Sequence, residues 1–449
     1  MLLFPLTIEN KYINKQKASV QMNYKESLEY LNSLNVFGMK LGLVRMTDLL
    51  ERLGNPQNAY KTVHITGTNG KGSVTAMLTA ILQESGFKTG MFTSPHLVSY
   101  TERMQINGRW ASEIAFANCL TEVRTACEEM TANGNEQPTQ FEVLTATAFL
   151  LFQKEKVDYA VIEVGLGGLL DSTNVIVPKV SVITNVSFEH ADKCGGTLEG
   201  IAEHKAGIIK PNVPVVTGAE GMPLDIIRET AAVNDCEIYV LGEDFKVKAD
   251  RKQMVKFTPN AEVMGEVDYK LNLLGLHQAN NSALAAATAM ILAVDELSIT
   301  KASIRHAMKK VEWAGRFELM ANAKEKYGHQ VLIDGAHNPA GITTLRESLD
   351  FYFPQEKRVF VLGILKDKDF ANMLKILLRK EDKVVFTTPS SERAANPVDL
   401  LEYADVEVKE AIGDPVEALK RGHELTNNDE LLICAGSLYL IGYLREQLL

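Results

Sequence analysis

The sequence predicts an α/β protein, with a phosphate-loop-containing, mostly parallel sheet domain followed by a smaller second α/β domain. Three observations predict it. Short runs rich in Val and Ile alternate with helical stretches almost from end to end. One of the first runs passes through a glycine-rich loop, HITGTNGKGSVTAM (64–77), into a helix. After an interlude of strands and one Ala-rich helix, a second strand–helix series begins near residue 330.

The bulk properties bound this reading. At 449 residues, two or three domains are expected. Residues 1–21 are expected to form a loose extension, with Met22 an alternative start; 22–298 form the nucleotide-binding domain and 299–449 the second domain. Hydrophobic content of 46% with 23% charged residues is that of a globular protein. No apolar run reaches the ~18 residues that span a bilayer, and MLLFPLTIENKYINKQK lacks the parts of a secretory signal, so a cytoplasmic protein is expected. Lys and Arg total 47 against 57 Asp and Glu, a net charge of −10, which excludes a general nucleic-acid binder. The five cysteines have no metal-ligand spacing.

In order, KTVHIT, VDYAVIEVG, KVSVITNV and VPVVTG read as buried parallel strands. EDFKVKAD and EVDYKLNLL read as strands without intervening helices, followed by the helix QANNSALAAATAMILAV. HQVLIDG, RVFVLG, DKVVFTT and ELLICAG supply the second sheet. In open parallel sheets, functional residues gather beyond the carboxyl ends of the strands, and the unusual residues of this chain lie there.

The glycine loop departs from G-x-x-x-x-G-K-[ST]: Gly72 separates Lys71 from Ser73, and Ile65 stands six before Lys71. Gly67, Gly70 and Gly72 still let backbone N–H groups and a helix N-terminus approach phosphate, with Lys71 as the point charge. FTSPHLVSYTERMQING (92–108) offers Ser94 to Mg²⁺ and His96 and Arg103 to an anion, or is a solvated loop. Glu163 ends an apolar strand, where an unpartnered carboxylate is expensive; Mg²⁺ or a structural cation would relieve it. Gly165, Gly167 and Gly168 then open space for a substrate, and His190 follows the next strand. Lys205 lies in a helix among apolar residues, either on a solvated face or partly buried with a reactive neutral amine. Arg316, Asp334 and His337 mark the second series, where Asn338 precedes Pro339 at a helix start.

TGTNGKGS, FTSPHLVSYTERMQING, EVGLGGLLDSTN, AEHKAGIIKP and IDGAHNPAG together resemble the folylpolyglutamate synthase and dihydrofolate synthase family of Mur-type ATP-dependent amide ligases, from about residue 22 to the C-terminus. The resemblance identifies the loop spelling as that of these ligases. It implies a Mur-ligase central-type domain followed by a Rossmann-like glutamate-ligase domain, and a cytoplasmic monomer. It implies ATP on Thr68, Asn69, Gly70, Lys71, Gly72 and Ser73, with Asn281 near the adenine (Asn280 being the other register) and Arg316 and Asp334 across the cleft. Ser94, Glu163 and His190 would hold Mg²⁺; a carbamylated Lys205 would hold a second ion. Lys71, Lys205 and His337 are the implied catalytic residues. A reduced folate or dihydropteroate would lie near Ser33 to Asn35, Thr139, Gln140, Phe141, Glu142, Leu170, Asp171 and Ser172, with L-glutamate as the third substrate.

Leu169 stands where the family commonly has Arg, Glu189 where Asp is frequent, and the aromatic residue often seen after that Asp is missing from EHADKCGG. These departures touch the substrate side more than the ATP side. A cell-wall Mur ligase is disfavoured because no UDP-binding domain precedes the phosphate loop. A non-catalytic ATP-binding protein is disfavoured because Lys71, Glu163, His190 and Lys205 are all retained.

Overall fold

The computed structural model describes residues 21–38, 40–189, 191–260 and 265–449. His190 therefore lies outside the described residues, as does the expected N-terminal extension apart from Gln21. Among the described residues no helix is long and apolar enough to cross a membrane.

The first sheet contains β1 (Lys61–Thr66), β2 (Thr89–Phe92), β3 (Met104–Ile106), β4 (Arg109–Trp110), β5 (Tyr159–Glu163), β6 (Val180–Ile183), β7 (Val215–Thr217) and β8 (Ile238–Val240). Their order is β4-β3-β2-β5-β1-β6-β7-β8. Only β3 and β4 run antiparallel, at one edge; the other six strands are parallel. Every residue of β5 is buried, because helices cover both faces. Val63, Ile65 and Val161 point into a core shared with the helices Lys71–Glu84 and Leu276–Leu292. Ala160 and Ile162 point the other way, into a core with the helices Glu113–Ala132 and Gln140–Lys154. The chain leaves β1 toward β2 on one side, while β5 is followed by β6 on the other, so the loop after β1 sits where the strand order reverses.

The interlude is a three-stranded antiparallel sheet, β9 (Phe245–Ala249), β10 (Met254–Pro259) and β11 (Val267–Lys270). Its Phe245, Phe257 and Tyr269 join the core of the Ala-rich helix, and Tyr269 hydrogen-bonds Ser282 at 2.8 Å. The second body is a sheet of β12 (Glu318–Leu319), β13 (Gln330–Ile333), β14 (Lys357–Leu362), β15 (Lys383–Phe386), β16 (Val408–Ala411) and β17 (Glu430–Ala435), ordered β12-β13-β17-β14-β15-β16. Only β12 is antiparallel to its neighbour.

The expected boundary at 298 shifts. The helix Lys301–Lys310 buries Ile304, Ala307 and Met308, with Val311 beyond it, in the core of the first sheet. Phe317 is the first residue in the core of the second. The helix thus belongs to the first body, and the crossing lies between Val311 and Phe317. Ile304→Ala, which truncates a side chain with no exposed surface, is expected to destabilise the first body by about 2–5 kcal/mol. A lower urea midpoint at unchanged slope, in the transition that reports the first sheet, checks this. An unmoved transition would return the helix to the second body.

Candidate functional site

The loop after β1 is held from below by the end of β6. Asn69 N–H donates to Asn185 Oδ1 at 3.0 Å, and Asn69 O accepts from Thr184 Oγ1 and Asn185 Nδ2 at 2.6 and 3.0 Å. Thr68 exchanges hydrogen bonds with Ser187, donating through Oγ1 at 3.0 Å and accepting at 2.9 Å. Lys71 Nζ folds back onto the carbonyls of Gly67 and Thr68, both at 3.0 Å. The helix Lys71–Glu84 opens at Gly70, without a side-chain cap, so its first N–H groups remain available to an anion.

Gly72 has a cause that lies 241 residues later in the chain. A β-carbon there would stand 2.9–3.1 Å from three atoms of the Trp313 indole. Trp313 comes from the segment that crosses between the two bodies, so the extra glycine lets the crossing segment pack on the phosphate loop. Ser73 Oγ accepts from Gln278 Nε2 at 3.2 Å, and Gln278 Oε1 accepts from Asn281 Nδ2 at 3.0 Å. Asn281 is buried and faces Gly70, whereas Asn280 is exposed.

Charge is concentrated beside this loop. Glu163 is 4% exposed and accepts Ser94 N–H at 3.1 Å. Burial raises its pKa, against the opposing pull of Lys71, that N–H, Arg316 and Arg103. Lys205 is 6% exposed; burial, reinforced by Lys71, lowers its pKa to about 7. It is not on a solvated face. Arg103 donates to His96 Nδ1 at 2.9 Å, and burial followed by this guanidinium lowers the imidazole to about 3. The neutral His96 thus orients Arg103.

The second body faces the same place. Asp334 accepts Phe317 N–H and Ala336 N–H, both at 2.8 Å, beside Arg316. His337 donates from Nδ1 to Gly335 O at 2.8 Å, leaving Nε2 at 3.6 Å from Glu189 Oε1. Asn338 Nδ2 donates to the same oxygen at 2.8 Å. Burial alone would raise the Glu189 carboxyl, but these two partners outweigh it and hold it well below the usual range. Glu189 thereby joins the two bodies, a role that its sequence context does not announce.

A cavity of about 420 Å³ lies beside Ser94. Thr139, Gln140, Phe141, Glu142, Leu170, Asp171 and Ser172 all line it, with Leu34 and Asn35; Ser33 does not. Two of these carboxylates are already committed. Glu142 accepts from Arg45 Nε at 3.1 and 3.2 Å and from Thr139 N at 2.7 Å, capping the helix it opens. Asp171 accepts from Leu166 N at 2.8 Å and Thr173 N at 3.0 Å. They shape the wall. Leu169, 43% exposed, lies on Gly207 just past the helix that carries Lys205. Sequence reasoning missed Trp313 and Gln278 as site residues, and read Asn338, within IDGAHNPAG, only as the residue before Pro339 at a helix start.

A glycine loop with free helix N–H groups, a buried carboxylate, two lysines and an adjoining mostly apolar cavity can align a nucleotide with an organic acid. The comparisons agree. The Mur ligase middle domain model matches residues 65–289, and the Mur ligase glutamate ligase domain model matches 315–438. The chain is 32% identical to dihydrofolate synthase/folylpolyglutamate synthase of Bacillus subtilis, covering 95% of this chain and 99% of that one. It is similar to the crystal structure of folylpolyglutamate synthase from Thermotoga maritima, with TM-score 0.83, 36% identity, and 95% and 96% of the two chains covered. It is also similar to the Mycobacterium tuberculosis folylpolyglutamate synthase complexed with ADP and AMPPCP, with TM-score 0.85, 31% identity, and 95% and 99% covered. The chain therefore belongs to the folylpolyglutamate synthase and dihydrofolate synthase family of Mur-type ATP-dependent ligases.

Proposed function

We propose that this enzyme joins L-glutamate to reduced folates and to dihydropteroate. One observation carries the reading. The 420 Å³ cavity opens on Ser94 and Arg103, and Ser94 is the residue whose N–H meets Glu163 beside the phosphate loop. An acid seated there delivers its carboxylate to the nucleotide's terminal phosphate. Lys71 and the first N–H groups of its helix would hold the β- and γ-phosphates; a nucleotide substrate is supported by the M. tuberculosis relative complexed with ADP and AMPPCP. Arg316 and Asp334 complete the nucleotide site from the second body, with Asn281 near the base.

The γ-phosphoryl group passes to the carboxylate and ADP departs. The amine of L-glutamate then attacks the acylphosphate carbonyl, the amide C–N bond forms and inorganic phosphate leaves. Arg103, oriented by His96, offsets charge on the acceptor carboxylate, and His337 lies where the incoming glutamate crosses the cleft. Positioning and electrostatics supply most of the rate in such transfers.

The residues fit Mg²⁺. Among the described residues no three His, Cys, Asp or Glu side chains form a metal cage. Mg²⁺ instead binds through one or two carboxylates plus waters and substrate phosphates. Glu163, buried with one hydrogen bond from Ser94, suits that role; Ser94 and His190 would complete the set. Bound there, Mg²⁺ would neutralise phosphate charge. Lys205 is proposed to carry a carbamate that holds a second ion, because its buried amine loses its proton near neutrality.

The primary test is glutamate-dependent ADP release with dihydropteroate and with tetrahydrofolate, both expected to turn over; release with neither would end the assignment. Turnover with tetrahydrofolate alone would favour a second reading, a folylpolyglutamate synthase only, for which Leu169 in place of the usual Arg is the supporting observation. For Lys205, the amine can add CO₂ only when neutral, so the adduct should be present at pH 8 and fade as pH falls through about 7. Intact mass in bicarbonate buffer reads this, and an unmodified lysine at pH 8 would refute it. Gly72→Ala should drive the indole off the loop, changing Trp313 emission in a Trp110→Phe background and weakening ATP binding about tenfold or more. Unaltered emission and affinity would mean that the contact at 2.9 Å is easily relaxed.

A further inference from the structure

The loop from Ser94 to Ser99 does more than border the cavity. It is wrapped on a single carboxylate: Glu102 accepts from the N–H groups of Leu97, Val98 and Ser99 at 2.9, 2.8 and 2.7 Å. Such a closed set of short bonds makes the loop move as one piece. One end of it is Ser94, against Glu163; Arg103, the residue after the Glu102 that ties the loop, borders the cavity.

Its tip belongs to the other body. Leu97 packs with the second-domain core that includes Ile441 and Leu444. A β-carbon on Gly442 would stand 2.3 Å from Leu97 O, and one on Gly315 would stand 3.2 Å from Leu97 Cδ1. Gly442 belongs to the second-domain helix Leu438–Leu448, and Gly315 to the crossing segment just before β12. Glu318 fixes that crossing by accepting Gly315 N–H at 2.7 Å while paired with Arg445 at 2.9 Å. Where Leu97 O meets Gly442 the approach leaves no room for a β-carbon, while the Leu97 side chain rests on the apolar cluster that includes Ile441.

We infer that Leu97 is a positioning residue for the ligase reaction, through which docking of the second domain sets Ser94 and Arg103 against the reacting carboxylate. The inference rests on the ligase reading above. Leu97 does not line the 420 Å³ cavity; it acts through a loop too stiff to absorb a displacement at its tip. When the tip loses its seat, Ser94 and Arg103 shift together. The cleft then admits water, which attacks the acylphosphate in place of the glutamate amine and returns acid plus inorganic phosphate.

Leu97→Ala, Leu97→Met and Gly442→Ala are compared in the full-length enzyme with tetrahydrofolate, ATP and glutamate. Leu97→Ala should lower kcat about 10- to 100-fold with KM for ATP unchanged, since small misplacements at a reacting centre cost this much. ADP released per amide formed should rise at least twofold, and amide hydrogen exchange at 94–99 should accelerate. Gly442→Ala, whose new β-carbon collides with Leu97 O, should do the same from the opposite side. Leu97→Met should restore turnover and coupling. Unchanged kcat and coupling in Leu97→Ala or in Gly442→Ala would overturn the inference. So would equal losses in all three with a lowered Tm, which would make the contact ordinary packing. Because the unaltered enzyme is measured alongside, failure of the ligase assignment appears separately, as absence of amide from the parent chain.

Discussion

The site depends on one constraint: charge is taken out of water at the carboxyl edge of a sheet whose strands are buried on both faces. An ion in such a place costs several kcal/mol unless partners restore what water gave. Asp334 and Glu163 meet this cost differently. Asp334 receives two backbone N–H groups and stands beside Arg316, so its loop is complete in itself. Glu163 receives one, from Ser94, and the remaining relief comes from Lys71, Arg316 and Arg103. Those cations belong to three separate segments and both bodies. A carboxylate with so little fixed hydrogen bonding keeps lone pairs that the fold itself does not use, and the Mg²⁺ role proposed above rests on that.

The two lysines follow from the same constraint. Lys71 is tethered by two carbonyls, while Lys205, close enough to feel it, is driven toward the neutral amine. Burial contributes most to that shift and repulsion from the Lys71 ammonium adds to it; an amine that gives up its proton more readily is the feature on which the carbamate proposed above rests. The fold obtains it by placing Lys205 on the inner face of the helix Leu198–Ala206, between Ala202 and Ala206, which are both buried.

Most of the architecture was legible because parallel strands buried on both faces must be continuous apolar runs, and the rule that sites lie beyond their carboxyl ends then fixes where to look. What was not legible is pairing across long separations. The spacing of Ile304, Ala307 and Met308 shows that one face of their helix is buried, but not against which sheet, and the boundary at 298 was misplaced for that reason. Glu142 reads as a substrate contact until Arg45, 97 residues away, is seen to hold it. Gly72 reads as an odd spelling until Trp313 is found on it. Glu189 in place of Asp adds one methylene, and nothing in its sequence context shows that its carboxylate reaches across the cleft to Asn338.

That reach bears on how the cleft opens. Bodies held by a large apolar interface stay shut, whereas small, partly polar contacts part readily. Here the bridges around the reacting centre are Glu189 with His337 and Asn338, Leu97 in its glycine seat, and Trp313 against the loop. Two of the three involve groups that touch the phosphate loop or the loop bearing Ser94. Whatever moves one of these loops therefore also moves a contact between the bodies, so the geometry of the site and the seating of the bodies on each other are mechanically coupled.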